Sequence, residues 1–151
     1  GGIIGNGDIT MDWIVQVLKR TVDTQYRTKA DRRHTFLAGS SMGGLMTLYG
    51  LLAYPEVFSR GAALSPSLWI DAEKVKAMIR HARVKRNTVL YVDYGALEFA
   101  DHPHSRSLFA EVSALLIEKR VLLNSRIVPR GTHCEASWEK QIPFFMKTLF
   151  E

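Results

Sequence analysis

One short segment of the sequence has the residue types of a nucleophile turn. Gly39-Ser40-Ser41-Met42-Gly43 follows the G-x-S-x-G pattern, in which the serine stands between a strand and a helix. Such a turn lifts the serine hydroxyl clear of the sheet and leaves the amide of Met42 free to stabilise an oxyanion. An apolar strand-like run at 35–38 precedes the motif and a helix-like run at 45–52 follows it. The pattern predicts Ser41 as nucleophile and Met42 as oxyanion donor.

A serine nucleophile needs a base, and the base needs an acid to orient it. In α/β hydrolases the three residues follow one another in the order serine, acid, histidine. His133 lies between the last predicted strand and the last predicted helix, where this order requires the base. The other four histidines precede the serine, lie near a helix end or flank a proline: His34, His81, His102 and His104. We therefore expect His133 to be the base.

The acid is expected in the segment that follows the predicted strand ending at Val92. Gly95 allows the chain to turn, and Glu98 falls in the loop beyond it, so Glu98 is the preferred acid. Asp101 is the second candidate. Asp93 is the third, because at the strand end its carboxylate could simply bond backbone amides.

Size and charge limit the classes of partner. The 151 residues are 46% apolar, which is enough for one core of ordinary domain size. The net charge is +5, but the densest basic group, 83–86, is typical of a solvated loop and lacks interleaved aromatics. We expect no nucleic-acid partner. No apolar run approaches the length of a membrane span, so no membrane partner is expected either.

Several other patterns carry less chemistry. Cys134 is the only cysteine, which excludes an internal disulfide and is compatible with a reducing compartment such as the cytoplasm. Beside His133 it is expected to pack as a small side chain.

The segment 101–104 (Asp-His-Pro-His) could suggest a metal site but is more typical of an exposed loop. The glycine-rich segment 1–7 lacks the residues of a phosphate loop. No metal or cofactor is expected.

Strands and helices alternate along the chain. Strands are predicted at 35–38, 61–64, 88–92 and within 121–128, and helices at 43–53, 71–81, around 108–116 and at 138–150, with a kink or new first turn at Pro143. An N-terminal helix is expected to carry one apolar face made of Trp13, Ile14, Val17, Leu18 and Val22. This alternation predicts a single α/β domain over 1–151, with a mostly parallel sheet and helices on both faces.

With these residues in place, the chain resembles the putative esterase family of α/β hydrolases, which includes esterase D-type, feruloyl and enterochelin esterases and mycolyltransferases. The matching segments are 31–44, 54–58, 64–69, 95–98 and 131–138. The resemblance implies hydrolysis of a small-molecule carboxylic ester, with Ser41 as nucleophile, His133 as base and Glu98 as acid. Ala96 departs from the family pattern, which often has threonine there.

The resemblance also implies that Trp69 and Trp138 line the substrate cleft, although both could equally fill the core. Family domains are longer at the N-terminus, where a loop supplies a second oxyanion donor. We therefore expect the chain to be the C-terminal portion of a larger catalytic domain that lacks its N-terminal strands. Acyl transfer to an alcohol and a non-catalytic binding module are the alternative functions, and the oligomeric state is not indicated.

Overall fold

The fold is built on one four-stranded sheet. The computed structural model describes residues 5–101 and 103–151. The strands are β1 (Phe36–Ser40), β2 (Arg60–Leu64), β3 (Val89–Gly95) and β4 (Leu122–Val128). They lie in the order β1-β2-β3-β4, and each neighbouring pair is parallel. Parallel neighbours require crossover connections, which here are made by the helices.

The helices connect the strands, precede β1 and follow β4 along the chain. They are α1 (Gly7–Trp13), which continues through a π-helical stretch (Ile14–Lys19) into α2 (Arg20–Gln25), then α3 (Met42–Ala53), α4 (Ala72–His81), α5 (Glu98–Asp101), α6 (Pro103–Glu118), α7 (Glu135–Glu139) and α8 (Ile142–Phe150). Short 3₁₀ turns occur at Arg32–His34 and Leu68–Asp71. Within the described residues, none of these helices is both long and apolar enough to cross a bilayer.

Both faces of the sheet are covered, as alternate residues of β2 demonstrate. Ala63 belongs to the larger apolar cluster, which the side chains of α3, α4 and α6 complete. Ala62 and Leu64 point to the opposite face and pack with Tyr91 and with Leu149 of α8. Strands buried on both faces read as continuous apolar runs. The predicted fold class, a mostly parallel α/β sheet between helical layers, is confirmed.

The N-terminal helix differs from the prediction. Trp13, Val17 and Leu18 of the expected apolar face are 41–52% exposed, whereas Met11 and Val15 are buried. Met11 and Val15 are four residues apart, the ordinary spacing of one helix face, and Met11 and Trp13 both lie in regular α1, so the buried face is a neighbouring stripe of the same helix. A face inferred from the α-helical period therefore does not coincide with the buried one.

The C-terminal helical region is divided where proline was expected to interrupt it. α7 ends at Glu139, and α8 begins at Ile142 with Pro143 in its first turn. Proline is well tolerated in a first turn, because its missing N–H would have no helical acceptor there. The break allows α8 to lie against β2 and β3.

Truncation of a core side chain on α6 tests the larger cluster. Leu116 is fully buried, so Leu116→Ala should lower the free energy of unfolding by about 2–5 kcal/mol through lost burial and a residual cavity. Its neighbour Ile117 is 62% exposed, and Ile117→Ala should change that free energy by less than about 0.5 kcal/mol. Urea denaturation followed by circular dichroism measures both variants. Equal losses would contradict this assignment of the core.

Candidate active site

Ser41 occupies the sharp turn between β1 and α3. Its backbone has φ 55° and ψ −119°, a conformation that is strained for a residue with a side chain. Backbone hydrogen bonds hold it there: Ser41 N donates to Leu64 O at 2.9 Å, and Ser41 O accepts from Leu45 N and Ser67 N, both at 3.1 Å. The turn is thus fixed both by its own helix and by the segment that follows β2.

The two glycines of the motif have different roles. A Cβ at Gly39 would lie 2.5 Å from the carbonyl of Gly43, whereas a Cβ at Gly43 would meet nothing within 4 Å. Only Gly39 is therefore required by close packing across the turn. Met42 is the first residue of α3, and N–H groups in a first helical turn lack helical acceptors and favour negative charge.

Ser41, His133 and Glu98 form a chain of hydrogen bonds. His133 Nε2 lies 2.9 Å from Ser41 Oγ, and His133 Nδ1 lies 2.7 Å from Glu98 Oε2. The Glu98 side chain is only 6% exposed, whereas that of His133 is 44% exposed. The imidazole therefore has a buried carboxylate on one side and an accessible hydroxyl on the other.

The segments that carry Glu98 and His133 are joined through their backbones. Leu97 N donates to Gly131 O at 3.0 Å, and Ala96 N donates to Val128 O at 2.9 Å. Gly95 and Gly131 lie so close that a Cβ on Gly95 would collide with the backbone of Gly131. This contact fixes the distance between the segment after β3 and the segment after β4.

Asp93, the third acid candidate, lies at the end of β3 and is 1% exposed. Its carboxylate accepts from Tyr91 Oη at 2.7 Å and from Ser65 N at 3.2 Å. Burial raises the pKa of Asp93, while these two hydrogen bonds act in the opposite direction. Asp93 thus bonds to Tyr91 and to the backbone after β2, whereas Glu98 bonds to His133.

Some sequence predictions fall outside the described residues. Residues 1–4 of the glycine-rich segment and His102 of the candidate metal motif belong to this group, so the structure does not describe those two patterns in full. Asp101, the second acid candidate, is the last residue of α5. Among residues 5–101 and 103–151, no group of three His, Cys, Asp or Glu side chains is arranged to hold a metal ion.

The two tryptophans occupy different positions around the site. A cleft of about 270 Å³ lies beside the histidine and is lined by Ser65, Trp69, Tyr94, Leu97, Glu98, Ser105, Thr132 and His133. Trp69 is 55% exposed on its wall. Trp138 is half-buried, its ring centroid is 5.0 Å from that of His133 in an edge-on contact, and its Nε1–H donates to Ser65 Oγ at 3.0 Å.

Two serines of the site were not predicted from the sequence. Ser65 Oγ donates to Glu98 Oε1 at 2.6 Å, and Ser67 Oγ lies 3.3 Å from Ser41 Oγ. The available signal was their position in Ser65-Pro66-Ser67, directly after β2, because the carboxyl ends of parallel strands meet at one edge. Neither serine stood out by residue type alone.

Cys134 lies next to the histidine at the start of α7. Its Sγ is 3.2 Å from Thr132 Oγ1. The Thr132 hydroxyl, with smaller contributions from the backbone of Ser137 and Ala136, lowers the pKa of the Cys134 thiol from its ordinary value. A partly exposed thiol of this kind is more readily ionised than a free cysteine.

Comparison with known proteins gives a family match over most of the chain. The family model described as "Putative esterase" matches residues 8–147. A siderophore triacetylfusarinine C esterase from Aspergillus fumigatus is 29% identical over an alignment of 105 residues, and the match covers 66% of this chain and 35% of that protein. The chain therefore spans about a third of the length of this curated relative.

Solved structures with the same fold include a serine hydrolase and an esterase. An IroE-like serine hydrolase from Shewanella oneidensis matches with a TM-score of 0.76 at 19% identity, over 96% of this chain and 47% of that one. The enterobactin esterase from Shigella flexneri matches with a TM-score of 0.67 at 25% identity, over 90% of this chain and 36% of that one. The α/β-hydrolase fold expected from the sequence is confirmed by these likenesses.

The ionisation of Cys134 can be measured by alkylation, since this is the only thiol. The rate of reaction with iodoacetamide increases with pH as the thiol ionises. Because the folded environment lowers the thiol pKa, the midpoint of this increase should lie at a lower pH in the native protein than in urea. Thr132→Val, which removes the hydroxyl donor, should move the native midpoint upward. A native midpoint equal to or above the denatured one would contradict the assignment.

Proposed function

Since the chain belongs to the putative esterase family, we propose that it hydrolyses a carboxylic ester through an acyl-enzyme intermediate on Ser41. The observation that carries this proposal is the chain of hydrogen bonds from Ser41 Oγ to His133 and on to Glu98. A serine hydroxyl is a weak nucleophile at its free pKa, and an adjacent oriented base activates it.

In the proposed first step, Ser41 Oγ attacks the ester carbonyl carbon while His133 Nε2 accepts the hydroxyl proton. The imidazolium that forms is stabilised by the Glu98 carboxylate at Nδ1, 2.7 Å away. The carbonyl oxygen becomes an oxyanion, which we propose is bound by the amide of Met42 at the start of α3. His133 then returns the proton to the leaving alcohol, and the ester C–O bond breaks.

In the proposed second step, a water molecule takes the place of the alcohol. His133 removes a proton from the water, which attacks the acyl carbon and again forms an oxyanion beside Met42. Collapse of this intermediate releases the carboxylic acid and returns the proton to Ser41. The 44% exposure of the imidazole supports this step, because it gives water access to the base.

We propose a small-molecule ester as substrate, bound in the cleft beside His133 with Trp69 on its wall. The names of the relatives suggest esters of siderophores, and the Shigella relative was solved with enterobactin. Triacetylfusarinine C, enterobactin and a feruloyl ester therefore form the first panel, measured with the full-length protein. The proposal includes no metal and no cofactor.

Removal of the nucleophile is the first test of this proposal. Ser41→Ala should lower kcat toward p-nitrophenyl acetate by about 10⁴-fold or more and abolish labelling by a fluorophosphonate probe. Ser113, a partly exposed serine on α6 whose hydroxyl bonds Ser125, provides a matched control, and Ser113→Ala should leave both readouts unchanged. Turnover retained by a Ser41→Ala protein would exclude this mechanism.

Exchange of the acid is the second test, and it separates the two leading candidates. Glu98→Gln preserves the shape of the side chain but removes the charge that stabilises the imidazolium, so kcat should fall by about 10⁴-fold. If Glu98 is the acid, Asp101→Asn should reduce kcat by less than about threefold, the range of a substitution outside the catalytic machinery. The reverse pattern would assign the acid to Asp101.

A further inference from the structure

The Glu98 carboxylate is held at both of its oxygens. Oε2 faces His133, while Oε1 accepts from Ser65 Oγ at 2.6 Å and from Gly95 N at 2.7 Å. Hydrogen bonds to a charged acceptor are shorter and stronger than those between neutral groups. The orientation of the carboxylate toward the imidazole therefore depends on donors that never contact the imidazole themselves.

The direction of the bond from Ser65 is fixed by Trp138. An indole N–H can only donate, so the 3.0 Å contact makes Ser65 Oγ the acceptor from Trp138 Nε1. The Ser65 hydroxyl proton is then directed to Glu98 Oε1, since a carboxylate can only accept. Two side chains from the segments after β2 and β4 thus form one oriented pair of bonds that ends on the acid.

The backbone of Ser65 supports a role for its hydroxyl. Ser65 is 1% exposed and has φ 41°, in the left-handed region that glycine occupies without steric cost. Ser65 N donates to Asp93 O at 3.0 Å and to Asp93 Oδ1 at 3.2 Å, and these bonds hold the strained conformation. A serine at such a position indicates that its hydroxyl has a use.

We propose that Ser65 and Trp138 are positioning residues for the reaction, and that Trp138 acts through Ser65. This inference rests on the proposed function and deepens it. Ser65 fixes the plane of the Glu98 carboxylate so that Oε2 faces His133 Nδ1 when the imidazolium forms. Trp138 prevents the Ser65 hydroxyl from turning to another acceptor. Without these bonds the carboxylate keeps Gly95 N as a donor but loses its fixed orientation.

A double-mutant cycle tests the proposal. Ser65→Gly removes the hydroxyl and fits the left-handed backbone, and Trp138→Phe keeps an aromatic ring beside His133 but removes the N–H. Ser65→Gly should lower kcat about 10- to 100-fold, the range for one hydrogen bond to a charged group. Trp138→Phe should lower it about 3- to 10-fold. KM should change by less than about twofold in both, because Ser65 is 1% exposed and its hydroxyl bonds Glu98 and Trp138.

The decisive readout is the double variant. If Trp138 acts through Ser65, adding Trp138→Phe to Ser65→Gly should reduce kcat by less than about twofold further. The proposal is overturned if the fold-reductions in kcat of the two single variants multiply in the double variant. It is also overturned if Ser65→Gly leaves kcat unchanged, or if the variants change only KM. Ser65→Ala retains a Cβ but lacks the hydroxyl, so its loss of kcat should equal that of Ser65→Gly. If either variant at Ser65 loses less kcat than Trp138→Phe does, the proposal is also overturned.

Two further measurements separate this inference from its premise. Trp13, which is 52% exposed on α1, provides the matched Trp→Phe control and should leave kcat unchanged. If Ser41→Ala is inactive but the kcat losses of Ser65→Gly and Trp138→Phe multiply in the double variant, only the positioning role fails. If Ser41→Ala is active, the proposed function itself fails. Circular dichroism of all four cycle proteins must show native folding, and folded variants with wild-type kcat would reject the positioning role.

Discussion

The parallel direction of the four strands is the constraint on which the rest of the structure depends. Because all four carboxyl ends lie along one edge, each strand delivers one polar side chain to the same place: Ser41 after β1, Ser65 after β2, Glu98 after β3 and His133 after β4. The strand register fixes the spacing of these ends, so groups 92 residues apart in sequence come within 2.9 Å. A slip of one residue in any strand would turn its side chains to the opposite face.

Two buried carboxylates at this edge divide the available donors between them. Asp93 takes the Tyr91 hydroxyl and the Ser65 amide, whereas Glu98 takes the Ser65 hydroxyl, the Gly95 amide and the imidazole. Burial is the main cause of the raised pKa of Asp93, and the negative charge of Glu98 acts in the same direction. Buried polar groups are costly unless bonded. Ser65 lowers that cost for both acids, with its amide on one and its hydroxyl on the other.

The parts that could be predicted from sequence are those that consecutive residues determine. The strand–turn–helix around Ser41 and the apolar strands are local patterns. Chain order selected His133, and the turn expected at Gly95 favoured Glu98 over Asp101 and Asp93; the structure brings His133 and Glu98 together. The bond from Trp138 to Ser65 joins residues 73 apart and depends on a strained φ that no residue type reveals. The buried side of the N-terminal helix was also missed, because its apolar residues occupy more than one side, and the pattern does not reveal that Met11 and Val15 rather than Trp13 and Val17 are buried.

The residues with positive φ near the site are serines rather than glycines. Among the described residues, five non-glycine residues and no glycine have positive φ: Ser41, Ser65, Asn87, Arg120 and Arg130. The last three lie in exposed turns, where such a conformation needs only a change of chain direction. Ser41 and Ser65 instead follow strands at the site, and strain of about 1–3 kcal/mol at each persists only where surrounding bonds enforce it. Gly39 and Gly95 supply room for close backbones rather than unusual dihedrals. Serine therefore stands, with its hydroxyl and at the cost of backbone strain, at two strand ends where glycine would adopt the same conformation more easily.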